Sequence, residues 1–91
     1  MSTLHGFART EHASLYLKKL CRHFSHKVDT EFDDQNGIIR FPFGTCDLSA
    51  DDQALHLHCQ AAGEDLEKLR EVIDSHLVRF ASKETLTLRW H

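Results

Sequence analysis

Residues 21–27 read Cys-Arg-His-Phe-Ser-His-Lys, so the segment carries Cys21-x-His23-x-x-His26. Thiolate and imidazole together suit zinc, copper or iron. On a helix, however, Cys21 and His23 stand about 200° apart around the axis, on nearly opposite sides. His23 and His26, three apart, could share one ion, although two ligands do not complete a tetrahedral site. Capping of the helix C-terminus by both histidines is the favoured alternative. His23 also lies on the side of the helix that carries His12 and Tyr16. His76 holds the corresponding edge of a second helix, beside Ile73 and Leu77. If those edges meet, Tyr16, His23 and His76 line an inter-helix groove, a usual setting for a small ligand or a metal; packed histidines that only fix the helices are the competing reading.

Other reactive side chains give weaker patterns. His56 and His58 alternate on one strand and share its outward face with Asp47 and Arg89; they read as a solvated face before a chelate. Cys46 and Cys59 point inward as diagonal neighbours, a redox pair or two small hydrophobes. Gly-rich phosphate loops, a nucleophile elbow and His-Glu-x-x-His are all missing from the sequence, and the carboxylates cluster in loops and outward positions. The chain is therefore read as non-enzymatic.

The elements that must hold these groups follow from periodicity. A strand over about 3–9 leads to Thr10, a candidate N-cap, and then to a helix ending near Lys27. Ala13, Leu17, Leu20, Cys21 and Phe24 form its apolar stripe. Val28, Thr30 and Phe32 alternate with acids as a half-buried strand. Asn36-Gly37 predicts a type I′ hairpin that sets Phe32 against Phe41 and Asp33 against Arg40. Pro42 marks an edge, a bulge or a turn. A second hairpin sets Cys46 and Leu48 opposite Leu57 and Leu55. A helix over about 64–81 carries Leu66, Leu69, Ile73, Leu77 and Phe80, and a strand with Leu86, Leu88 and Trp90 closes the chain. The order β-α-β-β-β-β-α-β predicts an α+β two-layer sandwich, a mostly antiparallel sheet with two helices on one face.

The chain has 91 residues, 41% hydrophobic and 27% charged, so it is read as one domain. No secretory signal is seen at its start, and three cysteines without paired spacing argue against a disulfide framework or zinc ribbon. A cytoplasmic location is expected. Residues 1–28 carry five Lys and Arg against one acid, and residues 29–65 carry nine acids against Arg40 alone. The basic first helix, with Lys18, Lys19, Arg22 and Lys27, thus suits an acidic surface within the chain, on a second copy or on a partner. Nucleic acid is not an expected partner, since it demands surplus positive charge; nor is a membrane. Protonating all eight histidines would move the net charge from −3 to +5.

Three runs resemble a known family. They are Tyr16–Lys27 (Tyr-Leu-x-x-Leu-Cys-x-His-Phe-x-His-Lys), Phe41–Cys46 (Phe-Pro-Phe-Gly-Thr-Cys) and His76–Ala81 (His-Leu-x-Arg-Phe-Ala). In this order they resemble an uncharacterised bacterial family, the domain of unknown function 2218. The resemblance covers nearly the whole chain. It implies a stand-alone α+β domain, and an association with siderophore-interacting flavoproteins that hints at iron or siderophore handling. It makes Tyr16, His23, His26 and His76 the positions to examine. No resident cofactor is expected, with a transition metal or an iron-siderophore as the ligands left open. The combined expectation is a small accessory domain with a ligand groove near His23 and His76, a monomer or weak homodimer. The alternative is an interaction module that docks through the basic helix.

Overall fold

The computed structural model describes residues 2–80 and 88–90. Strand β1 (Ser2–Arg9) is followed by α1 (Ala13–Ser25), β2 (Asp29–Phe32), β3 (Asn36–Phe41), β4 (Gly44–Ala50), β5 (Ala54–Ala61), α2 (Gly63–Phe80) and β6 (Leu88–Trp90). The strands form one six-stranded sheet in the order β2-β3-β4-β5-β1-β6, every neighbouring pair antiparallel. The sequence of elements is the expected one. Leu86 and Ala81 lie outside the described residues.

Both helices cover the same face because their apolar stripes have the same floor to bury. Leu17, Leu20, Cys21 and Phe24 of α1 join Leu69, Ile73 and Leu77 of α2 over Ile39, Cys46, Leu48, Leu55, Leu57 and Cys59. Each fully buried Leu or Ile contributes about 1.5–3 kcal/mol. Strand alternation sends the other side chains to the opposite, uncovered face. Thr10 starts no helix: its hydroxyl accepts from the His12 amide at 3.0 Å, and α1 begins at Ala13 with His12 at the cap position.

Two hairpin registers differ from expectation. Phe32 pairs with Gly37 and Asp29 with Arg40, whereas Asn36-Gly37 had been expected to form the turn itself. The turn is made instead by a carboxylate. Asp33 Oδ1 accepts from the Gln35 and Asn36 amides, both at 2.8 Å, and the Asp33 amide donates to the Asn36 carbonyl. No described residue has a positive φ, so the type I′ geometry is not used. Gly37 serves packing: a Cβ there would stand 2.9 Å from Cys21 Sγ. In the next hairpin Cys46 pairs with Cys59 and Leu48 with Leu57, two residues away from the expected partners. Asp51 closes that loop as Asp33 closes the first, accepting from the Gln53 and Ala54 amides at 2.8 and 2.7 Å. Both shifts are even-numbered, so every side chain keeps its predicted face. Pro42 and Phe43 form the short turn between Phe41 and Gly44, which pair.

Candidate functional site

The helices meet along a seam at the C-terminal half of α1. His23 and His76 face one another there, ring centroids 4.7 Å apart and planes at 46°. Phe24 and Phe80 flank them: Phe24 lies 4.9 Å from His76, and Phe80 lies 5.6 Å from His23. Phe24 continues edge-on to Phe41 at 5.0 Å, and Phe41 stacks on Phe43, over which Lys68 Nζ sits at 4.8 Å. The Phe-Pro-Phe turn therefore buttresses the seam from the sheet.

His76 is oriented by its own helix, its Nδ1 lying 2.7 Å from the Val72 carbonyl. A ring nitrogen facing a carbonyl carries a hydrogen and donates, so Nδ1 is committed to the helix and Nε2 is the nitrogen not taken by that bond. His23 is half-buried. Desolvation, then the neighbouring His76, Lys27, His26 and Arg79, hold its imidazole below the ordinary histidine pKa. The seam therefore sets two imidazoles, that of His23 held below its ordinary pKa, beside the cationic Lys27 and Arg79.

The other expected site residues fall into separate places. Tyr16 is buried two turns earlier on α1, its ring 6.4 Å from His12. His26 caps α1 and is exposed; its charge reaches His23, but its ring is not among those packed at the seam. Among the described residues no three His, Cys, Asp or Glu side chains converge as metal ligands. Of the basic set, Lys18 is taken within the chain by Asp34 at 3.1 Å, while Lys19, Arg22 and Lys27 are exposed.

Sequence reasoning underestimated the cysteines and the uncovered sheet face. Cys46 and Cys59 are direct cross-strand partners, Sγ to Sγ 3.7 Å, and both are completely buried. Pairing with Cys59 and burial push the Cys46 thiol well up, and burial pushes Cys21 to about 11. On the uncovered face His5, Phe7, His56, His58 and Asp47 border a shallow groove of about 480 Å³. His5 meets His58 edge-on at 4.3 Å, and His56 Nε2 lies 3.0 Å from Asp51. The alternation around His56 and His58 was visible, but His5 and Phe7 join them only through the pairing of β1 with β5.

The family described as "Uncharacterized protein conserved in bacteria (DUF2218)" matches residues 5–91. The chain belongs to it. A solved structure similar to this DUF2218 chain, the NMR structure of PA4090 from Pseudomonas aeruginosa, is 32% identical, with a TM-score of 0.83. The match covers 100% of this chain and 96% of that one. No curated protein matches the chain. The three motifs that carried the resemblance map onto the seam: Tyr16–Lys27 supplies His23, Phe41–Cys46 its buttress, and the described part of His76–Ala81 supplies His76 and Phe80.

Proposed function

We propose that this DUF2218 domain is a small non-enzymatic binding module that takes an anionic metal chelate, of the iron-siderophore class, at the His23–His76 seam. The observation that carries this reading is the pair of imidazoles 4.7 Å apart at the junction of the two helices. Two imidazoles leave most of a coordination sphere unfilled, so the ion would bring its own ligands. Lys27 and Arg79, close enough to His23 to oppose its protonation, suit a negatively charged complex. The partly buried Phe80 beside His23 suits aromatic chelating groups. The link to iron itself rests on the association with siderophore-interacting flavoproteins that the resemblance implies, and any action on such a partner would follow from delivery of the ligand.

Heteronuclear NMR titration with a gallium(III) catecholate complex, a diamagnetic stand-in for ferric iron, tests the reading, with zinc and copper as comparisons. Shifts concentrated at His23, His76 and Phe80, and lost in the His23→Ala, His76→Ala double variant, are expected. Saturable binding that persists in that variant would overturn it.

A second reading is favoured by the exposed Lys19 and Arg22 of α1 and Lys27 just beyond it, which leave this side cationic even after Asp34 has engaged Lys18. That surface suits an acidic partner. Raising ionic strength would weaken such docking far more than seam binding.

A further inference from the structure

The uncovered face of the sheet is charged unevenly. Strand register places its side chains in three long cross-strand rows, with Arg9 beside Ala54 beyond the third. One row runs Asp29, Arg40, Thr45, Gln60, Thr3; the next Glu31, Ile38, Asp47, His58, His5; the third Asn36, Ser49, His56, Phe7, Arg89. The β2 end is acidic. Arg40 bridges Asp29 and Glu31 at 2.7 and 2.8 Å, one cation between two carboxylates, and Asp47 adds a further exposed acid. The β1–β6 end is basic, with Arg9 and Arg89 both exposed. Between them lie the imidazoles of His5, His56 and His58, with Ile38 and Phe7 partly buried.

We infer that this face docks against the same face of a second copy of the chain, the acidic β2 end of each copy over the basic β6 end of the other. A two-fold axis along the strands, between β4 and β5, produces that superposition, and it makes both charged contacts at once because an isologous interface is self-complementary. It sets Asp47 over His58 of the other copy and Glu31 close to Arg89 of the other copy. Sheets stack about 10 Å apart with interleaved side chains, and the shallow groove along β5 leaves room for them.

Size fixes the strength. Six strands at about 4.8 Å and strands of about 20 Å give a face of roughly 500 Å², or about 1,000 Å² for the pair, at the small end of specific interfaces. The dimer is therefore weak and reversible, and its charged ends make it sensitive to salt. The helical seam lies on the other side of the sheet, so this docking neither requires nor blocks ligand binding there.

Sedimentation velocity of the whole chain, from about 10 μM to 1 mM at low and high salt, tests the inference. A concentration-dependent dimer is expected at low salt, weakened at least several-fold at high salt. Arg89→Glu and Glu31→Arg should each leave a monomer, while an equimolar mixture of the two variants should associate again, since one contact is then native and the other is the same pair with its charges exchanged. Circular dichroism of each variant separates loss of docking from loss of fold. A wild-type chain that stays monomeric at 1 mM would overturn the inference, and so would association untouched by either charge reversal.

Discussion

His23 titrates against its surroundings. Desolvation and the nearby His76, Lys27, His26 and Arg79 hold its pKa below 6.5, so the unfolded chain takes up this proton more readily than the folded one. Stability from this group is present above about pH 6.5, the ordinary histidine value, and declines as pH falls through the lower folded value. NMR titration of the ring should give a midpoint below that of an exposed histidine, and His23→Gln should flatten the slope of melting temperature against pH in that window. The thiols allow a second expectation. Cys21, Cys46 and Cys59 are all completely buried, and the first two have raised pKa values, so brief iodoacetamide treatment of the native chain should add no label while denatured chain takes three. Prompt labelling of native Cys46 would contradict the burial described. Part of the seam was legible in sequence, because His23 and His76 each sit at the edge of an apolar helical stripe. Tyr16 was misleading for a simple reason: sharing a helix side places residues on one line, not at one height.

Short turns decide the hairpins, and here two aspartates do more than the Asn36-Gly37 pair. Asp33 and Asp51 each fold a loop onto their own carboxylate, and the accepted amides lower both pKa values. Such groups lend stability above the unfolded carboxylate range and lose it as pH falls through the depressed folded values. Asp33→Ala should lower the melting temperature at neutral pH, whereas Asp33→Asn, which keeps a side-chain oxygen, should retain more of it and lose the acid dependence. The sequence pattern located these strands and their faces, yet missed their partners, because the hydrophobic period of two is satisfied by every even shift. Only the Asx-type turns at Asp33 and Asp51 choose among those shifts, and asparagine-glycine is a louder signal than a lone aspartate. Gly44 carries a packing constraint instead. A Cβ there would lie 2.5 Å from the Gln60 carbonyl oxygen, so Gly44→Ala should cost about 1–3 kcal/mol in a urea melt by forcing β4 and β5 apart.

At the scale of the molecule, two one-faced helices and one-faced strands leave few arrangements, and the two-layer sandwich was readable for that reason. Strand order was not. Nothing local in Ser2–Arg9 says that it lies inside the sheet, between β5 and β6. No helix among the described residues is long and apolar enough to cross a membrane. The interior position of β1 has a consequence for biogenesis. A chain leaving the ribosome presents this strand well before its partners, residues 54–61 and 88–90. Until then its amides and carbonyls have only water or a chaperone to bond with, and closing so long a loop makes folding slow for a domain of this length. Synthesis stalled before β5 should accordingly yield a protease-sensitive nascent chain, while release of the whole chain should bring abrupt resistance.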